Sequence, residues 1–123
     1  MRSGATHAGV LGMRDRSVTK VDSEHAPRGS HGERYLAAGT KIAMRLWEHE
    51  KPGNYDETER AYEVVGYVID GRAVLNIEGQ TVTLEPGDSY VVPRGSRHSY
   101  SVTEPLTVVE ATCPPSYVHG RDQ

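Results

Sequence analysis

The chain is short of several things, and each shortage closes off a class of protein. It has one cysteine among 123 residues. An intramolecular disulfide is therefore impossible, and no Cys-x-x-Cys redox or zinc spacing exists. Basic residues are not in excess: the net charge is −3, with acids and bases interspersed. No basic stripe, zinc-finger spacing or aromatic RNA-binding signature appears, so nucleic acid is not an expected partner. No apolar run approaches the ~20 residues of a membrane helix. The opening Met1-Arg2-Ser3-Gly4-Ala5-Thr6-His7-Ala8 lacks an apolar signal core, which makes the cytoplasm the expected compartment. Hydrophobic residues amount to 36%, low for a compact monomer, and much of the deficit falls between Met1 and Gly39. No segment carries a helical apolar stripe of useful length, and internal repeats are missing.

What remains is a chain sized for one domain. Residues 1–16, rich in Gly, Arg, Ser and Ala without periodicity, read as a flexible N-terminal tail. Residues 17–123 read as a single domain. Ser17 to Val21 alternates like a first short strand, and Ala26 to Gly32 is loop by composition. From Thr40 onward the period is two. Ile42, Met44 and Leu46 alternate with Ala43, Arg45 and Trp47. A Lys51-Pro52-Gly53-Asn54 turn follows. Arg60 to Ile69 is apolar on both faces, which predicts a strand deep in the fold. Asp70-Gly71 signals a hairpin, with the return strand at Arg72 to Ile77. Glu78-Gly79 turns again before Thr81 to Leu84. Pro86-Gly87-Asp88, Ser89 to Val92, and Pro93-Arg94-Gly95-Ser96 give turn, strand and turn. Arg97 to Val102 places His98, Tyr100 and Val102 on one face, and Leu106 to Thr112 is the last strand, stopped by two prolines. Short strands at such spacing predict an all-β sandwich or barrel.

Two stretches sharpen that expectation. Pro86-Gly87-Asp88-Ser89-Tyr90-Val91-Val92-Pro93-Arg94-Gly95-Ser96-Arg97-His98 resembles the second motif of the cupin superfamily: a PGD turn, a short apolar strand, a proline turn and a histidine. Glu63 to Ala73, through Gly66-Tyr67-Val68-Ile69-Asp70-Gly71, resembles the end of the first motif. The likeness spans about Trp47 to Pro114. It implies a double-stranded β-helix, a jelly-roll-like barrel whose mouth takes a small molecule, and a homodimer formed by exchange of edge strands, here residues 17–21 or 35–47.

The resemblance also shows what is missing. Metal-binding cupins carry a His-x-His pair, a glutamate and the histidine of the second motif. Only the last is present, as His98. The His-x-His position reads Asp56-Glu57-Thr58-Glu59-Arg60. The glutamate position falls on Val64, one residue after Glu63, and a one-residue offset in a strand sends a side chain to the opposite face. A metal such as Zn or Fe(II) wants several imidazoles. Any divalent metal here would rest on His98 with Glu57, Glu59, Glu63 or His49. The alternative is that His98 lines the pocket as a hydrogen-bonding residue and the acids form a solvated turn.

Candidate pocket residues are His98, Tyr100, Glu63 and Arg45. Tyr100 shares a face with His98, as a pocket or a packing residue. Glu63, beside Tyr62, is either a buried acid–base group or a structural hydrogen-bond partner. Arg45 points inward to an anionic substrate or outward to pair with Glu110, and the alternation with Met44 and Leu46 favours outward. Trp47 reads as core or interface. Cys113 reads as a small buried residue, with a reactive thiol as the alternative. His7, His25, His31 and His119 show no ligand spacing. Three functions compete. The first is a small-molecule binder without a tightly held metal, acting as sensor, carrier or protective protein. The second is a cupin enzyme of isomerase, epimerase, decarboxylase or dioxygenase type, with His98 (and Glu63) as acid–base candidates or His98 as metal ligand. The third is a dimeric interaction module.

Overall fold

A computed structural model describes residues 18–116. The 1–16 tail and its His7, Ser17, and His119 lie outside the described residues. Among those described there is no α-helix, only a single 3₁₀ turn at Ser23–His25, capped by the Asp22 carboxylate accepting from the Glu24 amide. Seven strands follow: β1 Arg34–Ala38, β2 Ala43–Glu50, β3 Gly53–Asn54, β4 Glu63–Ile77, β5 Gln80–Leu84, β6 Ser89–Val92 and β7 His98–Cys113. The all-β architecture expected from the turn spacing, and the barrel implied by the family resemblance, are what the chain forms.

Two long strands organise everything. β4 and β7 run antiparallel along their whole lengths, from Glu63 opposite Cys113 to Ile77 opposite His98. Both bend in the middle, where the register slips between Val68 and Ala73. On one side of the bend β1, β2, β7, β4 and β6 lie edge to edge. On the other, β3, β7, β4 and β5 do. The inner faces of the two halves meet in one core that holds Val64, Val68, Val92 and Val108 from the first half and Ala73, Leu75, Leu84 and Val102 from the second. Alternation is strict: along β4, Val64, Gly66 and Val68 are buried while Glu63, Val65, Tyr67 and Ile69 are exposed.

Several expectations need correction. Asp70-Gly71 is no hairpin. Gly71 has φ +91°, and a Cβ there would collide with the Pro105 carbonyl and Leu106. The glycine lets β4 turn the corner against β7 as a bulge and continue. For the same reason Arg97–Val102 and Leu106–Thr112 are halves of one strand. The true hairpin is at Glu78-Gly79, both with positive φ, joining β4 to β5. Val18 to Val21 forms no strand. Gly53 and Asn54 pair with Val102 and Ser101 rather than only turning. The stretch through Ile69 is not deep on both faces, because its second apolar face looks outward. Cys113 is exposed: the inward position at the end of β7 goes to its neighbour Thr112.

Candidate functional site

The inward rows of the first half build the floor of a cavity. Arg45 on β2, Glu110 on β7, Gly66 on β4 and Tyr90 on β6 are in register across four strands. Gly66 is required there, since a Cβ would run into the Tyr90 ring. The space it leaves lets Tyr90 lie across β4 and reach Glu110. Arg45 thus points inward and still pairs with Glu110, which corrects the outward reading. Ala43, Arg45 and Trp47 are the inner face of β2, and Met44 is outside.

Glu110 is 4% exposed and accepts three hydrogen bonds: from Arg45 Nε at 2.8 Å, Trp47 Nε1 at 2.9 Å and the Tyr90 hydroxyl at 2.5 Å. Arg45 also donates to the Tyr62 hydroxyl at 3.0 Å, and its guanidinium lies 5.2 Å from the centroids of both the Trp47 and Tyr62 rings. A buried charge pair tolerates desolvation best when other donors and acceptors engage it, as Trp47, Tyr90 and Tyr62 do here. Burial works against the Arg45 charge, but Glu110, with Tyr62, overrides it and holds the guanidinium above its ordinary value. Burial and then Glu110 push the Tyr90 and Tyr100 hydroxyls up, so both stay protonated near neutrality.

The cavity measures about 470 Å³. Its walls are Val64, Val102, Leu106 and Val108 with the rings of Trp47, Tyr90 and Tyr100. Polar residues of its lining include His31, Glu33, Glu50, Asp56, Thr58, Arg60 and His98. His98 is buried, edge-on to Tyr100 with ring centroids 5.7 Å apart. Its Nδ1 is 3.0 Å from the Ser96 carbonyl, which only accepts, so Nδ1 carries the proton. Nε2 of the neutral ring is then an acceptor, 3.5 Å from the Thr58 hydroxyl. The single Tyr90 proton goes to Glu110, a carboxylate that cannot donate. The Tyr90 oxygen is therefore left to accept.

Of the residues singled out in sequence, His98, Tyr100 and Arg45 line this cavity. Glu63 does not: it is exposed on the outer face of β4, opposite Cys113, as the one-residue offset from Val64 requires. It is withdrawn as pocket, acid–base and metal candidate. Glu57 and Glu59 are exposed and engage Arg97 at 2.8 and 3.6 Å. His49 is exposed, with φ 53°, and its amide donates to Thr107 Oγ1. The metal that the family pattern implies thus finds only His98 among those donors facing the cavity, and among the described residues no three His, Cys, Asp or Glu side chains cluster as a metal site. The donor set does not fit a multi-histidine centre. Sequence reading missed Glu33, 1% exposed and held by the His31 amide at 3.0 Å. It missed Glu50 and Glu110 as lining residues too. Nothing local marked them; Glu110 was legible only as an acid on the inner parity of β7.

Fold and cavity together define a small antiparallel barrel whose inner faces enclose a ligand-sized pocket beside His98. A family model described as the cupin domain matches residues 46–112, more than half of the chain, and the protein belongs to the cupin family. A search of curated proteins found no match. Solved structures show the same architecture. KdgF from Halomonas sp. is 19% identical with a TM-score of 0.68, covering 80% of this chain and 94% of its own. An RmlC-like cupin from Shewanella frigidimarina is 19% identical with a TM-score of 0.69, covering 80% and 92%. The Schizosaccharomyces pombe Cnp3 cupin domain is 11% identical with a TM-score of 0.66, covering 82% and 72%. At these identities the likeness is one of fold, and proteins of this fold differ in function. Among the described residues no helix is long and apolar enough to cross a membrane.

Proposed function

We propose that this cupin is a small-molecule binder that works without a metal held by several histidines, and that its ligand brings hydroxyl or amine hydrogen-bond donors on a partly apolar frame. One observation supports the reading: the Tyr90 hydroxyl gives its proton to the buried Glu110 carboxylate, which leaves the Tyr90 oxygen as an acceptor in the pocket. His98 Nε2 is a second acceptor in the same cavity. The charge balance agrees. Glu33, Glu50, Asp56 and Glu110 outnumber Arg45 and Arg60 around the cavity, and the Arg45 charge is already matched by Glu110. An anionic ligand would meet net repulsion, which argues against Arg45 as an anion clamp. The apolar walls take the rest of the ligand, the usual division of labour in a pocket.

The test is a thermal-shift and calorimetric screen with three probe sets: neutral polyols and sugars, small aliphatic amines, and sugar acids or phosphates of matching size. Donor-bearing neutral or amine probes stabilise the wild type. Tyr90→Phe keeps the ring and removes the acceptor, so affinity falls about 2–10-fold, the worth of a neutral hydrogen bond. His98→Phe has a similar effect. Preferential binding of the acids, or binding unchanged in both variants, overturns the proposal. Turnover of a bound probe that disappears in His98→Phe would move the protein to the enzyme class.

A further inference from the structure

Two carboxylates line the cavity with no cation paired to them among the described residues. Glu33 sits one step before Arg34, which lies opposite Leu46, so it falls beside Trp47 on the inward parity of β2. It is 1% exposed. Its Oε1 accepts from the His31 amide at 3.0 Å, but Oε2 has only the Tyr35 hydroxyl at 3.4 Å, well beyond the ~2.7–2.8 Å of a good O–H···O bond. Glu50 arrives by another device. The register of β2 against β7 slips between Trp47 and Glu50, around His49 with its φ of 53°. A bulge re-aims the side chains that follow it. Here it brings Glu50 to the cavity lining, where strict alternation would have put His49. Among the described residues neither carboxylate takes part in an ion pair. Burial, and then Glu33, push the Glu50 carboxyl above its ordinary 4.5, so the two acids are near enough to oppose each other's charge.

We infer that the ligand of this pocket is an organic monocation, a protonated amine whose ammonium group is taken by Glu33 and Glu50 while a hydroxyl on the same frame meets the acceptors of Tyr90 and His98. This rests on the reading of the cavity as a binding pocket and narrows what it admits. Three features select an ammonium. First, a buried carboxylate needs charge or hydrogen bonds to offset its lost hydration. Glu110 has three donors for that purpose, whereas Glu33 Oε2 has one distant hydroxyl. Second, an ammonium brings three donors and no acceptor, the complement of carboxylates that only accept. Third, the rings of Trp47 and Tyr55 belong to the same lining; aromatic faces attract an organic cation and pack its apolar frame. A divalent metal suits the place less well. It wants six or more oxygen ligands, or several imidazoles, and no such cluster occurs among the described residues. The charge balance has room for one positive unit: with Glu110 matched by Arg45, the lining still sets Glu33, Glu50 and Asp56 against Arg60.

Calorimetry of the full chain with two probes of one shape tests it: 4-aminocyclohexanol, a cation at neutral pH, and 1,4-cyclohexanediol, its neutral counterpart. The wild type binds the amino alcohol about 10-fold tighter than the diol, the margin of a charge-assisted over a neutral hydrogen bond. Glu50→Gln keeps the shape of the side chain and removes its charge. It also relieves the opposition of Glu33, so the fold is kept. In this variant the margin closes while the diol binds as before. Glu63→Gln removes a charge of the same sign from the outer face of β4 and leaves the margin intact. A wild type that prefers the diol, or takes both probes equally, overturns the inference. So does a margin that survives in Glu50→Gln or disappears in Glu63→Gln. The two readings of the pocket separate in the same experiment. Diol binding weakened by Tyr90→Phe, with no advantage for the amine, removes the ammonium site and leaves the acceptors standing; no binding of either probe removes both.

Discussion

Removing the negative charge of Glu110 tests the physical account of the pocket floor most sharply. The carboxylate is buried beneath Tyr90 and touches three donors within 2.9 Å. Glu110→Gln keeps the shape and one acceptor oxygen but leaves the Arg45 guanidinium buried without its counter-charge. Breaking a buried pair from one side costs about 3–5 kcal/mol. For a domain near 100 ordered residues each kilocalorie shifts the melting temperature by about 4–8 °C, so the variant should melt roughly 12–40 °C lower. Arg45→Met, the reverse half, leaves Glu110 with Trp47 and Tyr90 as donors and costs less, about 2–3 kcal/mol. The double variant Arg45→Met/Glu110→Gln removes both charges and keeps an acceptor for Trp47 and Tyr90. It should cost no more than about 2 kcal/mol relative to wild type. Urea unfolding followed by tryptophan fluorescence, with a common m-value, closes the cycle. Additivity of the singles within about 0.5 kcal/mol would refute the reasoning, because contacting partners must couple.

Two further outcomes follow from the geometry. Gly71→Ala places a Cβ against the Pro105 carbonyl at a φ of +91° and should cost more than about 1 kcal/mol by urea unfolding, with m unchanged; a neutral variant means the corner is built differently. Glu50 has its carboxyl pushed above its ordinary 4.5, first by burial and then by Glu33. The folded state therefore holds its proton more tightly than the unfolded chain, and this group's contribution to stability falls as pH rises through that window. Glu50→Gln should raise the melting temperature at neutral pH, with the gain shrinking below pH 4.5; an equal gain at both ends would assign the effect to something other than charge.

Much of this protein is written in local pattern. The PGD turn, the alternation through His98, Tyr100 and Val102, and the spacing of the turns carry the barrel, because a strand's side chains have only two sides and a tight turn has few allowed residues. The same rule of two sides told in advance that Glu63 and Val64 face opposite ways. Parity alone does not say which side is inside. Arg45 and Glu110 lie inward, and Met44, Val65, Tyr67 and Val91 outward, only because β2, β7, β4 and β6 align in one register. In that register a charge pair finds Tyr62, Trp47 and Tyr90 as partners. The Asp70-Gly71 hairpin failed for a related reason: a glycine's positive φ suits a reversal or a bulge equally, and only the approach of Pro105 on β7 selects the bulge. Periodicity thus determined most of the strand positions and which residues share a face. The burial of charge, the outward apolar layer and the acceptor character of the pocket belong to the tertiary structure, because each depends on atoms brought together from strands far apart in the chain.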